Sequence, residues 1–587
     1  MVLLLATLVG AFLSAAHALQ AKPRVFRVLP SARRLGPLSA AGKRAQPISG
    51  NWPSAYPAKE YCSRCGLCDT SYVDQVSSSC AFLNEGMARA EALEFEVHGR
   101  ARAYDPTSLR PLGGGGPGGW VDEARFGVHE EIIYAKAAPA VEGAQWTGVV
   151  TTIAAQMLAR GEVDAVALVA AAVGDPIAPA PRLARTPQEV LSGRGVKPSL
   201  APSLNVLDQV RDDSSIRRLL FCGVGCAVQA LRAVDKSSLG LDDLFVLGTN
   251  CVDNSPSPDA TRDFLGAAGV GDIKSGENVN YEFMADFRVH IKRSSPAADS
   301  IADSIVGSSA GTVPADLKEG SGKYTKVPYF CLPGDVAERA IAKSCLACFD
   351  YTNGLADLVV GYMGVGLDSD GQMMAQWQQV TVRNPRGRRM LQVAGAKLAT
   401  VKPLEYWERR AQESWLPSWL PGGMPGGPEA NPRADWSPDK GQGMGVEGTG
   451  VEGGERSFAQ LRKLVEGTVE ADSIVARLRG QVVKSAGLPR WAGEVLATIV
   501  GAGAPKGLDF ARYSIDYHYL RNYLYLLKEW GPERAAEHLP DYARRILAPY
   551  GGVSVQKGQE PKSPKRTDST PAARPSWLES LENDVQR

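Results

Sequence analysis

The chain has 587 residues, a formal net charge of +1 and 44% hydrophobic residues. This length predicts about two to four domains, and the balanced charge favours neither a nucleic acid partner nor a generally anionic membrane surface. Ten cysteines are too few for a disulfide scaffold in a chain of this length, so the information lies in how they cluster.

Residues 1–48 are predicted to be a targeting leader rather than part of the fold. The run 2–16 is almost entirely apolar, but it is shorter than the ~20 residues that a membrane-spanning helix needs. A small-x-small Ala-His-Ala pattern ends this run, and a basic stretch follows with no Asp or Glu before Glu60. This order is typical of bipartite leaders that reach the stroma of a complex plastid, with plain secretion as the alternative. No later segment has the length and apolarity of a transmembrane helix.

An iron–sulfur region is predicted for residues 49–140. The ligand candidates are Cys62, Cys65, Cys68 and Cys80, in the pattern C-x2-C-x2-C followed by a more distant fourth cysteine. This spacing resembles the bacterial ferredoxin run, and Gly66 allows the tight turn that it requires. A zinc site is the alternative, although such sites usually show paired C-x2-C units. Disulfides are not expected in a reducing stroma.

The central region, residues 141–411, is predicted to be an α/β domain (mixed α+β) that holds a flavin and a second cluster. Its expected elements are a helix from Trp146 to Ala159, a strand from Val163 to Ala172, strands at 217–222 and 243–248 with a helix at 227–234 between them, and further strands and a helix within 354–401. This strand–helix–strand order predicts a partly parallel sheet.

The remaining segments are assigned by composition. The Gly-rich stretch at 105–124 and the Ser-, Ala-, Asp- and Gly-rich stretch at 293–322 are interpreted as insertions. Residues 412–484, which are rich in Pro and Gly around 416–455, are predicted to be a linker. Residues 485–550 are predicted to form a helical C-terminal segment, and the polar tail 551–587 is predicted to be disordered.

A second four-thiol site is predicted from scattered cysteines. A C-x2-C pair and two single thiols at strand ends could supply four ligands, and the favoured set is Cys226, Cys251, Cys345 and Cys348. Cys222 is the reserve candidate, because five cysteines compete for four places. Burial as ordinary core residues is the alternative for Cys222 and Cys251, and Cys331 is interpreted as a packing residue.

Three loops are candidates for a flavin site. Small and hydroxyl-bearing residues at a helix start offer free backbone amides to a phosphate or a flavin ring, a glycine loop at 192–197 carries cations, and a turn at 381–387 carries two arginines. The proposed contacts are Gln145, Trp146, Thr147, Gly148, Thr151, Lys197, Arg383, Asn384, Arg386 and Gly387. Ordinary helix caps and solvent-facing basic residues are the alternative for each loop. No G-x-G-x-x-G motif follows a strand, so a Rossmann dinucleotide site is not indicated.

Taken together, these segments resemble one family, the beta subunits of deazaflavin-reducing hydrogenases with their plastid branch of chlorophyll-type pigment reductases. The likeness covers residues 51–411 and 485–550, in stretches such as KEYCSRCGLCDT, VEGAQWTGVVTTIA, RLLFCGVGCAVQALR, LGTNCVDN, YEFMADF and CFDYTNGLADLVVGYMGV. The resemblance implies FAD, two 4Fe–4S clusters and reduced ferredoxin as the electron donor. It also implies flavin contacts from Trp146 to Thr151, at Lys197 and from Arg383 to Gly387.

Three functions remain open at this point. The preferred one is 8-vinyl reduction of a divinyl (proto)chlorophyllide, because algae with complex plastids often use chlorophyll c rather than chlorophyll b. The second is reduction of 7-hydroxymethyl chlorophyll a, and the third is an electron-transfer subunit without its own substrate. The candidates for the proton donor are His129, Glu130, Asp350 and Tyr351, and a structural role is the alternative for each. The sequence leaves a homo-oligomer open.

Overall fold

The computed structural model describes residues 46–54, 56, 60–104, 122–273, 277–294, 324–333, 336–366, 376–413, 487–503 and 507–550. All of these residues belong to one unit, which lies within Gln46–Arg587. The predicted leader up to residue 45, the insertions at 105–121 and 295–323, the linker from 414 to 486 and the tail from 551 lie outside the described residues.

Two sheets organise the described part of the chain. The strands are β1 (Glu131–Ala137), β2 (Ala165–Ala172), β3 (Asp175–Ala184), β4 (Arg218–Gly223), β5 (Asp243–Thr249), β6 (Asn278–Phe283), β7 (Arg288–Ser294), β8 (Tyr324–Pro328), β9 (Leu358–Gly361), β10 (Gln378–Val382) and β11 (Leu398–Val401). The larger, eight-stranded sheet has the order β11-β1-β10-β9-β5-β4-β2-β3, and the smaller, three-stranded sheet has the order β6-β7-β8.

The middle of the large sheet is parallel. Strand β4 pairs in parallel with both β2 and β5, and β5 pairs in parallel with β9. Strand β10 is antiparallel to β9 and to β1, so β1 runs in the same direction as β9, β5 and β4. The loops that follow these four strands therefore leave from the same edge of the sheet, which we call the reaction edge, while the turn after β10 leaves from the opposite edge.

Helices cover the sheets and form the end of the described chain. They are α1 (Val73–Ser78), α2 (Ala90–His98), α3 (Glu123–Phe126), α4 (Val149–Ala159), α5 (Pro187–Val190), α6 (Leu207–Asp212), α7 (Gly225–Arg232), α8 (Pro258–Ala267), α9 (Val336–Ala340), α10 (Pro385–Ala394), α11 (Pro403–Glu413), α12 (Arg490–Gly503), α13 (Gly507–Glu529), α14 (Pro532–His538) and α15 (Asp541–Leu547). The protein is thus a mixed α/β protein with a partly parallel sheet, as predicted.

The predicted helix from Trp146 begins three residues later, at Val149. The cause is Gly148, whose φ of 91° lies in the left-handed region and cannot continue a right-handed helix. A side chain here would also place its Cβ 2.6 Å from that of Val141. The small sheet is not among the predicted elements, although Val289 and Ile291 alternate with polar residues in β7, as in a strand.

The C-terminal helices pack against the N-terminal region through an apolar core and a buried ion-pair network. Residues of α13 and α15 share one hydrophobic cluster with Phe82 and Phe126. Arg125 of α3 donates two hydrogen bonds to the Asp516 carboxylate of α13, at 2.7 and 2.8 Å, and a third to Asp122 at 3.0 Å. Across the described residues, we find no helix with both the length and the apolarity to cross a membrane.

Candidate active site

Four loops meet at the reaction edge. Trp146 follows β1, Cys226 lies in the first turn of α7 directly after β4, Cys251 follows β5, and Tyr362 follows β9. Ligand sites of open α/β sheets form beyond the carboxyl ends of parallel strands. The reaction edge is therefore the part of the fold in which a functional site is expected.

The first four predicted thiols come together in the N-terminal region. Electrostatic coupling links the Cys65 thiol with Cys80, Cys68 and Cys62. Burial, together with a smaller contribution from the neighbouring thiols, raises the pKa of Cys65 to about 12. The predicted turn is present at Gly66, which has a φ of 81° and lies against Pro202.

The second group of thiols lies at the reaction edge. The Cys226 thiol is coupled with Cys348, Cys251 and Cys345, and also with Cys65 of the first group. Cys65 and Cys226 pack against the same hydrophobic cluster. The two four-thiol groups are therefore neighbours.

Cys222 and Cys331 lie apart from both groups. Cys222, the last but one residue of β4, packs against a hydrophobic core cluster on the large sheet, and burial alone raises its pKa, to about 12. Cys331 packs beside the small sheet, where the Cβ of a residue replacing Gly493 would lie 2.2 Å from its sulfur. The structure thus puts Cys226, rather than the reserve candidate Cys222, beside Cys251.

Helix α13 covers the second group of thiols. The Asn522 amide donates hydrogen bonds to the carbonyl oxygens of Cys348 and Cys345, at 2.5 and 3.3 Å. Arg521 forms a two-pronged ion pair with Asp253, at 2.8 and 2.9 Å. The predicted C-terminal helical segment therefore contributes directly to the surroundings of this group.

The donor set fits iron–sulfur clusters. All ten cysteines are free thiols, and thiolates are the usual ligands of 4Fe–4S clusters. Four buried thiolates would repel one another, and the positive charge of a metal centre removes that repulsion. Within the part of the chain that the structure describes, no three His, Cys, Asp or Glu side chains are arranged for a single metal ion. Cluster type and number remain proposals.

The loop before α4 reaches the small sheet through Gln145 and Trp146. Gln145 donates hydrogen bonds to the Tyr281 carbonyl at 2.8 Å and to the Glu282 carboxylate at 3.0 Å. Trp146 also hydrogen-bonds to Glu282, and its ring stacks on Tyr362 with centroids 4.6 Å apart. The predicted flavin loop is therefore joined to one carboxyl and one aromatic ring.

The other predicted residues of this loop hold its shape. The Thr147 hydroxyl accepts a hydrogen bond from the backbone N–H of Ala137 at the end of β1, at 3.0 Å. Gly148 makes the left-handed turn into α4, and Thr151 is buried within the first turn of that helix. These contacts place the start of α4 against the reaction edge.

Lys197 lies in the second predicted flavin loop, which is hydrogen-bonded through β6 to the loop before α4. Its half-buried ammonium donates to the carbonyl of Arg194 at 2.6 Å, and burial lowers its pKa to about 8. Asn280 of β6 accepts from the Val196 N–H at 2.9 Å and donates to the Gly143 carbonyl at 3.2 Å. Two of the three predicted flavin loops are thus joined through β6.

The third predicted loop leaves the sheet from the opposite edge, and its side chains have partners inside the chain. The buried Arg383 guanidinium donates to the carbonyls of Val128 and Thr352, at 2.6 and 2.7 Å. Asn384 caps α10 through the N–H of Gly387 at 3.2 Å, and its amide donates to Asp357 at 2.8 Å. Arg386 pairs with Asp243 at 3.0 Å. The flavin contacts predicted for this turn stay a prediction.

The four predicted proton donors divide between the two edges. His129 and Glu130 precede β1 at the opposite edge, and Glu130 pairs there with Arg388. Asp350 accepts from the Gly354 N–H at 2.8 Å, and burial raises its pKa. Tyr351 lies near the second group of thiols, where its hydroxyl is 3.3 Å from that of Ser514.

Glu282 is a site residue that the sequence reasoning missed. The stretch NYEFMADF shows an acid among aromatic and apolar residues, which is the available signal for a carboxyl in apolar surroundings. Burial raises the pKa of Glu282 to about 7, against three hydrogen bonds that lower it. A carboxyl with such a pKa can hold and release a proton near neutral pH.

Family models match most of the central region. The model for the N-terminal part of the coenzyme F420 hydrogenase/dehydrogenase beta subunit matches residues 132–208. The model for the C-terminal part of the same subunit matches residues 216–405. All three predicted flavin loops and the second group of thiols lie within these matches.

Two similar proteins cover most of the chain. The chloroplastic 7-hydroxymethyl chlorophyll a reductase of Oryza sativa subsp. japonica is 42% identical, over 84% of this chain and 83% of its own length. An uncharacterised protein of Nostoc sp. is 35% identical, over 85% of this chain and 95% of its own length.

Two methanogen proteins are more distant. The coenzyme F420 hydrogenase beta subunit of Methanococcus voltae is 27% identical, over 37% of this chain and 64% of its own length. A solved structure of the F420-reducing [NiFe] hydrogenase complex from Methanosarcina barkeri contains a chain with a TM-score of 0.35 and 17% identity, over 49% of this chain and 92% of that one.

Proposed function

Because this chain belongs to the coenzyme F420 hydrogenase/dehydrogenase beta-subunit family, and is an oxidoreductase, we propose that it reduces a chlorophyll-type pigment with electrons from ferredoxin. The observation that carries this proposal is the adjacency of two four-thiol groups, the second of which lies at the reaction edge. A donor that gives single electrons needs carriers that lead inward, and adjacent clusters supply them.

The proposed substrate is 7-hydroxymethyl chlorophyll a, which was the second of the hypotheses drawn from the sequence. The rice relative that carries this activity in its name is 42% identical over 84% of the chain. The preference for 8-vinyl reduction depended only on the lineage inferred from the leader, so the similarity outweighs it. The protein acts in the chloroplast, as the leader predicts and as the chloroplastic relative indicates.

FAD is the proposed two-electron carrier, and it would collect single electrons into the pair that the reduction requires. Gln145, Trp146 and Lys197 would hold it, since their loops meet at the reaction edge. The thiols proposed to hold the clusters are Cys62, Cys65, Cys68 and Cys80 in the first group and Cys226, Cys251, Cys345 and Cys348 in the second.

The test is an anaerobic assay of the purified chain with reduced ferredoxin and each pigment in turn. We expect conversion of 7-hydroxymethyl chlorophyll a to chlorophyll a, with divinyl chlorophyllide recovered unchanged. Conversion of the divinyl pigment alone would restore 8-vinyl reduction as the function. Cluster reduction without conversion of either pigment would favour an electron-transfer subunit.

A further inference from the structure

We propose that Glu282 is the catalytic acid that protonates the departing hydroxyl group of the pigment. This inference rests on the proposed function, because it assigns a residue to that reaction. It is carried by the hydrogen bonds that join the Glu282 carboxyl to the Trp146 loop at the reaction edge.

The carboxyl is held in place by the distant Gln145–Trp146 loop and by the backbone of its own strand. Gln145 donates to one carboxylate oxygen at 3.0 Å, and the backbone N–H of Phe283 donates to the other at 3.2 Å. Trp146 adds a third hydrogen bond. A general acid must be held within hydrogen-bond reach of the atom that it protonates, and these donors fix its orientation.

The carboxyl also lies within electrostatic range of three tyrosine hydroxyl groups. Glu282 acts electrostatically on Tyr329, Tyr351 and Tyr362, and Asp286 is a further charged neighbour of Tyr329 and Tyr362. Tyr351 is in addition coupled to Cys251. Tyr351 therefore lies within electrostatic range of both Glu282 and Cys251, a member of the second group of thiols.

The Glu282 carboxyl is half-buried, and burial gives it a pKa suited to a general acid. Burial raises its pKa to about 7, so that it is substantially protonated at neutral pH. Of the earlier candidates, His129 and Glu130 lie at the opposite edge, whereas Glu282 is hydrogen-bonded to the proposed flavin loop. Glu282 lies beside the proposed flavin loop, is oriented by hydrogen bonds and can carry a proton at neutral pH.

The proposed step is balanced in atoms and electrons. Two molecules of reduced ferredoxin supply two electrons, which reach the hydroxymethyl carbon with one proton as a hydride equivalent. The C–O bond breaks, a C–H bond forms, and the Glu282 carboxyl gives its proton to the hydroxyl group, which leaves as water. Solvent then protonates the carboxylate again.

The test compares Glu282→Gln and Glu282→Asp with wild type and with Glu96→Gln, which alters an exposed carboxyl on α2. Each full-length protein, with its bound cofactors, is assayed with ferredoxin and 7-hydroxymethyl chlorophyll a from about pH 5.5 to about pH 9. In wild type, kcat should fall as the pH rises through about 7, because the acid loses its proton there. Glu96→Gln should reproduce this profile.

For Glu282→Gln we expect kcat to fall about 10²–10⁴-fold and to lose this pH dependence, while Glu282→Asp keeps the dependence at a reduced rate. Pigment binding, measured by fluorescence quenching, and the visible bleaching of the protein by reduced ferredoxin should be unchanged in Glu282→Gln. A wild-type rate and pH profile in Glu282→Gln would overturn this inference alone. Failure of the wild-type protein to convert the pigment would overturn the proposed function and this inference with it.

Discussion

At one edge of the eight-stranded sheet, loops bring thiols, aromatic rings and a carboxyl together; at the opposite edge, a turn brings arginines and an asparagine together. Both edges have cations next to glycines in the sequence, at 193–197 and at 383–387. At the opposite edge the side chains have partners inside the chain, as Arg383 and Arg386 show. At the reaction edge, burial raises the pKa of neighbouring thiols such as Cys226 and of the Glu282 carboxyl.

This difference shows what distinguishes a reactive cluster from a structural one. A buried polar group whose partners lie within the chain needs no ligand to satisfy it, whereas several buried thiols gathered at one point suit a metal centre. Substitutions at the reaction edge should therefore alter chemistry, and substitutions at the opposite edge should alter stability.

The largest effect is expected for Cys348→Ser at the reaction edge. Loss of one ligand should remove the second cluster, so that iron falls from about eight to about four atoms per chain, and ferredoxin-driven turnover should be nearly abolished. Cys222→Ser is the matched control, because that thiol packs against the core. Iron and acid-labile sulfide analysis checks both, and equal iron in Cys348→Ser and wild type would show that Cys348 is not a ligand.

At the opposite edge, Arg383→Met should act on stability. The substitution leaves the carbonyls of Val128 and Thr352 without their donor, at a cost of about 1–3 kcal/mol for each buried group. Urea unfolding measures this free energy. Unchanged stability together with loss of flavin would instead support the flavin contact predicted from the sequence.

The smallest effect is expected for Arg386→Ala. Its ion pair with Asp243 is partly exposed, and such pairs contribute about 0.2–1 kcal/mol. Unfolding midpoint and flavin content should both stay close to wild type. A clear loss of flavin after dialysis would show that Arg386 holds a phosphate despite its partner.

The sequence predicted well those elements whose pattern lies within one continuous segment. The apolar runs of β2, β4 and β5 and the intervening α7 fixed the parallel part of the sheet, and turn residues such as Gly66 were also recognisable. The choice between Cys222 and Cys226 remained open, because a sequence does not show whether a strand-end residue points into the core. In the structure, Cys226 packs against the same hydrophobic cluster as Cys65, whereas Cys222 packs against a different one.

Glu282 could not be assigned from local patterns. Its partner Gln145 lies 137 residues away, and its raised pKa depends on burial in the folded protein. The sequence also grouped the third flavin loop with the other two. It did not reveal that Arg383 donates to the carbonyls of Val128 and Thr352, because both residues are distant in the sequence.

The most direct test of the contrast between the two edges is the flavin content of Trp146→Leu and Arg386→Ala after parallel dialysis. Circular dichroism first establishes that both variants are folded. If the reaction edge holds the flavin, Trp146→Leu loses it, because the ring stacked on Tyr362 and the hydrogen bond to Glu282 are gone, while Arg386→Ala retains it. Retention by Trp146→Leu together with loss from Arg386→Ala would contradict this account.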